Sequence, residues 1–182
     1  ISSKITDDAS LFISAGKKIK IINGEINNNK ITSIKDVKTN NLNKFGIGFD
    51  VHKLETKRKL YLGGINIPFP LGLKGHSDGD PVLHALIDSL LGACRLGDIG
   101  NLFSNKNKKY KNIRSTKLLQ KVVMLIKSKN FSLNNIDINI ITERPKIKKY
   151  AKQISNVISK ICKIETNQIN IKAKTTEKLG II

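Results

Sequence analysis

The sequence predicts an α/β domain, a two-layer α+β arrangement in which a mixed sheet packs against about three helices. Three observations carry that reading. Apolar residues recur at helical spacing in three separate windows, and apolar or alternating stretches of strand character lie between them. Capping and turn signals divide the two kinds of segment, so helices and strands interleave. No internal repeat is visible.

Residues 1–44 differ from the rest. They are rich in Asn, Lys, Ser and Ile, with the polar run Asn27-Asn28-Asn29-Lys30 and little amphipathic order. They read as a poorly ordered extension, a remnant of organellar import; an extra strand pair packed on the domain is the alternative. A start at Ile1 rather than Met is expected of a piece of a longer precursor. The compact domain is expected over 45–182.

Phe45 to His52 alternates well enough for a strand, and Lys59-Leu60-Tyr61-Leu62 and Asn66-Ile67-Pro68 form a hairpin around Gly63-Gly64. Asp80-Pro81 predicts a helix start, with Asp as N-cap and Pro at the first helical position. Val82, Leu83, Leu86, Ile87, Leu90 and Leu91 give that helix its apolar face, and Gly97 ends it. A second helix begins at Ser115 and runs through Leu118, Leu119, Val122, Val123 and Ile126. Ile136 to Ile141 is strand-like, Ile154, Val157, Ile158 and Ile161 make a third helical face, and Ile169 to Ala173 is the last strand.

The chain has 182 residues, 39% of them hydrophobic, enough for one domain with a real core. With 33 basic and 14 acidic residues the net charge is +19, so the expected partner is anionic: nucleic acid, a membrane surface or a phosphorylated small molecule. All but four of the basic residues are Lys, a skew typical of an AT-rich genome, which makes much of the charge incidental solvated surface. Cys94 and Cys162 are far apart and form no CxxC pair, so neither a disulfide framework nor a thiolate zinc knot is expected, and both read as small buried residues. No apolar run approaches the ~18–20 residues of a membrane span.

In this basic chain the three histidines gather with acids in the runs Gly46-Ile47-Gly48-Phe49-Asp50-Val51-His52 and His76-Ser77-Asp78-Gly79-Asp80-Pro81-Val82-Leu83-His84. Asp50 and His52, two apart on a strand, point to one face. His84 falls in the first turn of the Asp80-capped helix. Ligands of types O, N and N leave a tetrahedral zinc one open position, the mark of a catalytic rather than a structural site. The alternative is that His52 and His84 are ordinary polar residues that never meet. Asp88, four residues after His84, could orient its ring or be a solvated helix acid. Asp78-Gly79-Asp80 lacks the repeating acids and closing Glu of a calcium loop. His76 and Ser77 precede a helix N-terminus, a natural anion site. Lys172-Ala173-Lys174-Thr175-Thr176-Glu177-Lys178 offers phosphate donors and, in Glu177, a carboxylate for magnesium; a solvated terminal strand fits that stretch as well.

With GIGFDVH at 46–52, GHSDGDPVLHALIDSLLGACRLGDIGNLF at 75–103 and TTEKLG at 175–180, in this order, the chain resembles the 2-C-methyl-D-erythritol 2,4-cyclodiphosphate synthases of the non-mevalonate isoprenoid pathway. The likeness runs from about Phe45 to Gly180. It implies zinc on Asp50, His52 and His84, transition-state stabilisation by His76 and Thr175, and substrate contact by Ser77. It implies a second ion, Mg2+ or Mn2+, held by Glu177 and the substrate phosphates. Asp98, Ile99 and Gly100 would bind the cytidine ribose, and the segment from Thr142 through Pro145 and Lys146 to Lys148 would form the cytosine pocket, with Lys174 and Thr176 beside the phosphates. The implied substrate is a diphosphocytidyl small molecule, the implied product a cyclic diphosphate with release of CMP, and the implied assembly a homotrimer with active sites between neighbouring subunits. Pathway and extension together point to a plastid-type organelle.

Three departures stand out. Ser104-Asn105-Lys106-Asn107 replaces the family's Pro-Asp-x-Asp run, Lys174 stands where Thr is usual, and the chain stops at Ile182, short of a Gly/Arg/Glu-containing stretch and last strand, as expected of a truncated end. They keep an inactive relative open as a reading. A basic nucleic-acid-binding domain with a structural metal is the other alternative. It is disfavoured because aromatics are only 5% and no binding motif is evident, so no nucleic-acid or membrane partner is expected.

Overall fold

A computed structural model describes residues 8–20, 22–24 and 43–179. The chain divides into two compact units, residues 1–43 and 44–182. In the first, Asp8–Ser14 forms the short helix α1; the polar run at 27–30 lies outside the described residues.

The second unit is the α/β domain. Its strands are β1 (Leu54–Glu55), β2 (Leu60–Leu62), β3 (Ile65–Ile67), β4 (Gly72–Leu73), β5 (Ile136–Ile141) and β6 (Ile169–Lys174). Its helices are α2 (Pro81–Ala93), the single-turn α3 (Ile99–Leu102), α4 (Ser115–Ser128) and α5 (Ala151–Cys162). The α/β class with strands of both senses is as expected; among the described residues the pairing is divided into three two-stranded ladders, β1 with β4 and β2 with β3 antiparallel, β5 with β6 parallel. The parallel pair is joined through α5, the crossover that parallel neighbours require.

Local chemistry explains the boundaries. Gly63 and Gly64, both at positive φ, make the two-residue turn between β2 and β3 that side chains would resist. Asp80 caps α2, its side chain accepting from Val82 and Leu83 N–H, with Pro81 behind it. All six expected apolar residues of α2 are buried, against Leu118, Leu119, Val122, Val123 and Ile126 of α4 and, with Ile154 and Ile158 of α5, in one core. Helix α2 ends at Ala93, earlier than the expected stop at Gly97, which sits in the turn beyond at φ 84°. Cys162 is buried and its thiol pushed up to about 12 by desolvation, whereas Cys94, expected inside, is only half-buried at the end of α2.

The expected strand at 45–52 is extended but joins no ladder among the described residues, because no neighbouring strand lies along it. It runs instead against α2. A Cβ on Gly48 would sit 1.9 Å from the Ala85 carbonyl oxygen, and one on Gly46 equally close to that of Ser89, so only glycine permits this approach. The consequence is positional: Asp50 and His52 are delivered to the first turn of α2. The alternate side chains, Phe45, Ile47, Phe49 and Val51, are left exposed, Ile47 by 92%.

Candidate metal centre

Asp50, His52 and His84 meet. Asp50 Oδ2 lies 2.9 Å from His52 Nε2 and 3.0 Å from His84 Nδ1, and the two ring nitrogens are 3.3 Å apart. Tetrahedral bonds of ~2.0–2.1 Å put neighbouring ligand atoms ~3.3 Å apart, so a zinc-sized ion fits the triangle with little movement. These three residues are the ligand group found among the described residues.

The bonds on the far side of each ring decide which nitrogen faces the centre. His52 Nδ1 meets the Lys74 carbonyl oxygen, which can only accept, so Nδ1 carries the proton and Nε2 presents a lone pair. Ser115 Oγ donates to Asp78 Oδ1 at 2.5 Å, and its one proton is then spent. At 2.8 Å from His84 Nε2 it must accept, so His84 Nε2 carries the proton and Nδ1 faces inward. Two lone pairs and a carboxylate oxygen thus converge, a donor set that requires a cation or added protons. Burial pushes the Asp50 carboxyl up, but bonds to His52 and His84 and the charge of both rings outweigh it and hold it well below the usual carboxylate range. The same Asp50 bond raises His52 above its ordinary value, more than burial lowers it.

The support reaches further. Asp78 also accepts from Ser115 N–H at 3.1 Å and pairs with Arg114 Nε at 2.9 Å, an ion pair without hydrogen-bond alignment. Arg114 donates to Gly64 O and lies over the Tyr61 ring. Arg58 donates to the carbonyls of Gly75 and Ser77, on either side of His76. Asp88 does not orient His84: its Oδ1 accepts from Ile99 N–H at 2.7 Å and so fixes α3 beside the centre, while Ser115, with Ser77 Oγ at 3.1 Å, does the orienting. Ser115 was legible only as a helix start, since its contact to Asp78 spans 37 positions. Ser115→Ala is expected to keep the fold and lower zinc affinity about 10–100-fold, the usual cost of losing such a ring partner; a chelator-competition titration measures it.

A cavity of about 240 Å³ opens on the trio, lined also by His76, Ser77, Asp88, Ile99, Gly100, Asn105 and Tyr110. His76 Nε2 is buried and lacks a hydrogen-bond partner. Asp98 caps α3, accepting from Asn101 N–H at 2.8 Å, and does not line the cavity. The remaining expected residues assemble at the ends of β5 and β6 instead. Thr142 N–H donates to Lys174 O, Thr142 Oγ1 to Arg144 O, and a cis bond precedes Pro145, with Lys146 following. Thr175 Oγ1 donates to Glu177, and Thr176 to Glu143. None of these residues lines the cavity at the trio.

An open O,N,N centre on this α/β fold defines a metal-site domain of a known class: the YgbB family model matches residues 43–182, and the chain belongs to that family. It is 65% identical over 181 residues to the bifunctional enzyme IspD/IspF of Pelagibacter ubique, a match covering 100% of this chain and 49% of that relative. It is 50% identical over 139 residues to the 2-C-methyl-D-erythritol 2,4-cyclodiphosphate synthase of Brachyspira hyodysenteriae, covering 76% of this chain and 88% of the relative. Among solved structures, a 2C-methyl-D-erythritol-2,4-cyclodiphosphate synthase in a CDP-bound form aligns with TM-score 0.71 at 36% identity, covering 75% of this chain and 91% of that one. The bifunctional IspDF of Campylobacter jejuni aligns with TM-score 0.72 at 39% identity, covering 97% and 50%. The family resemblance is therefore borne out. The chain spans about half the length of the bifunctional relatives that it matches end to end. The plastid-type location is not: such relatives are bacterial, from Pelagibacter and Campylobacter, and they match residues 1–44 as well, so that segment is no sign of organellar import. No helix among the described residues is long and apolar enough to cross a membrane.

Proposed function

We propose that residues 44–182 act as a cyclodiphosphate synthase, converting 4-diphosphocytidyl-2-C-methyl-D-erythritol 2-phosphate to 2-C-methyl-D-erythritol 2,4-cyclodiphosphate and CMP. The observation that carries this reading is the open three-ligand centre, with ring orientations set by Lys74 O and Ser115, inside a cavity that His76, Ser77 and Asn105 also line. An oxygen of the 2-phosphate forms a bond to the β-phosphorus, and the bond from that phosphorus to the oxygen of CMP breaks. No protein nucleophile is needed, and orienting the two phosphates for in-line attack is worth ~7–11 kcal/mol. Zinc held by Asp50, His52 and His84 would supply Lewis-acid polarisation of the β-phosphate.

The chain's own groups do the positioning. His76 Nε2, without a partner in the chain, donates to a phosphoryl oxygen, assisted by Thr175. Ser77 contacts the substrate, and Asp98, Ile99 and Gly100 meet the ribose. Thr142, Pro145 and Lys146 hold cytosine. Lys174 and Thr176 bind phosphate, and Glu177 would hold a Mg2+ or Mn2+ ion, which would supply charge neutralisation at the phosphates.

This second group comes from a neighbouring copy in a homotrimer. Two observations support that assembly. The cavity, at about 240 Å³, falls below the ~300–1,000 Å³ of pockets that enclose a whole small-molecule ligand. The exposed apolar edge Phe45, Ile47, Phe49 and Val51 is the kind of surface that a partner covers. Residues 1–43 are assigned to a second catalytic part shared with the bifunctional relatives, which match them end to end. Of the two asparagines in the departure, Asn105 lines the cavity, whereas Asn107 accepts from Lys109 N–H.

CMP release from the diphosphocytidyl substrate, by full-length protein with zinc and magnesium, is expected and should vanish with a chelator. A folded, zinc-loaded protein that releases none would refute the assignment and make the chain an inactive relative.

A further inference from the structure

The turn that follows β6 has an unusual backbone. Glu177 and Lys178 both sit at positive φ, 52° and 63°. Non-glycine residues enter that region at a cost and stay only where their surroundings hold them. One side chain does the holding here. Glu143, in the loop after β5, accepts at a single oxygen, Oε1, from Thr176 N–H at 3.0 Å, Thr176 Oγ1 at 2.9 Å and Lys178 N–H at 3.3 Å. Its partners are the residues immediately before and after Glu177, so the bonds bracket that residue. They hold the Glu143 carboxyl below its usual range, the Thr176 hydroxyl contributing most. Within the bracketed turn, Glu177 accepts in addition from the Thr175 hydroxyl.

We propose that Glu143 is a positioning residue that fixes the turn of Thr175 to Lys178 in the conformation that presents the Glu177 carboxylate to the second metal ion. The proposal rests on the reading of Glu177 as the holder of that ion. Glu143 would touch neither ion nor phosphate. Because it lies between Thr142 and Pro145, it also ties the phosphate turn to the loop assigned to cytosine. A solvent-exposed Glu alone would be an ordinary surface residue; three donors ending on one oxygen around a left-handed pair make it a brace.

The test uses full-length, zinc-loaded protein with Glu143→Ala, Glu143→Gln and Glu177→Gln. Two readouts are followed: the magnesium dependence of CMP release, and Mn2+ binding in the presence of CDP by the EPR signal of the free ion. Glu143 is exposed, so the Ala variant folds. It is expected to raise the half-saturating Mg2+ and Mn2+ concentrations about 10-fold, the lower end for losing a partner that orients a ligand, with zinc content unchanged. Gln keeps a carbonyl oxygen able to accept the same three bonds and should restore both values to near wild type. A merely structural loss would lower the active fraction without moving half-saturation. Unchanged half-saturation in Glu143→Ala, with a shift in Glu177→Gln, overturns the role of Glu143 alone. Equal impairment of the Ala and Gln variants also overturns it, since charge rather than acceptor geometry would then matter. No shift in Glu177→Gln removes the underlying reading of Glu177, and the proposal with it.

Discussion

His84→Ala should yield a folded chain that has lost its zinc and its turnover. The substitution deletes one of three converging donors, and Nδ1 has no substitute nearby, since Ser77 and Ser115 lie on the Nε2 side of the ring. Spread over four ligands, the ~10–16 kcal/mol of a protein zinc site is about 2.5–4 kcal/mol each, or on the order of 10²–10³-fold in affinity. Asp50 and His52 then remain as a hydrogen-bonded acid–base pair, too few to retain the ion through purification. The fold survives because the ring stands at the edge of the core: Leu83, Leu86 and Ile87, which carry the packing of α2, are untouched. Zinc analysis, far-UV circular dichroism and CMP release on the same sample test this together. Full zinc occupancy in the variant would remove His84 from the ligand set.

The parts of the fold that could be read from the residues are those whose causes are local. Asp80-Pro81 states a helix start in two residues, and the apolar spacing of α2, α4 and α5 names the faces that pack. Gly63-Gly64 states a two-residue hairpin. The metal trio was legible for the same reason, because an i, i+2 pair on extended chain and a first-turn histidine have few ways to point. What could not be read depends on contacts between distant segments. Asp88 looked like a partner for His84 at i+4, yet it turns to Ile99 N–H, while the true partner, Ser115, belongs to another helix. Phe45 to Val51 has strand character but no strand beside it among the described residues, and its two glycines commit it to the backbone of α2. Glu143 was legible only as part of the segment from Thr142 to Lys148, since its importance comes from the backbone of a turn 33 positions away.

That contrast also explains why one acid in the densest part of the motif is structural while its neighbours serve the site. Asp78 is spent on Ser115 and Arg114, and so sets the ring of His84. Asp50 faces the centre. Asp80 does neither, and removing it should produce the largest loss of stability of any single substitution in the motif.

Asp80 is fully buried, and its two oxygens accept four backbone N–H groups: Oδ1 from Gly63, Val82 and Leu83, and Oδ2 from Gly64 at 2.6 Å. It therefore caps α2 and fastens the tip of the β2–β3 hairpin to it. Burial pushes its carboxyl up, helped by the charge of Asp78, and the N–H groups of Gly64, Gly63 and Leu83 oppose that without reversing it. Asp80→Ala removes the acceptor and leaves four donors, two of them at a helix start that no other group caps. Loss of an N-cap costs about 1–2 kcal/mol, and each buried donor left unpaired about 1–3 kcal/mol. Water entering the space recovers part of this, so a net loss of about 3–5 kcal/mol is expected, with a fall in Tm on the order of 10 °C for a domain of this size. Asp80→Asn separates geometry from charge. With its carbonyl in place of Oδ1 it keeps three bonds, and its amide then opposes the Gly64 N–H, so about 1–3 kcal/mol should be lost. Equilibrium denaturation of both variants gives the order directly. If Ala were no worse than Asn, the bonds at Oδ1 would not be what holds α2 to the hairpin. Since His84 stands in the first turn behind this cap, the Ala variant should also bind zinc more weakly while its ligands are intact, which shows that stability and site rest on the same helix start.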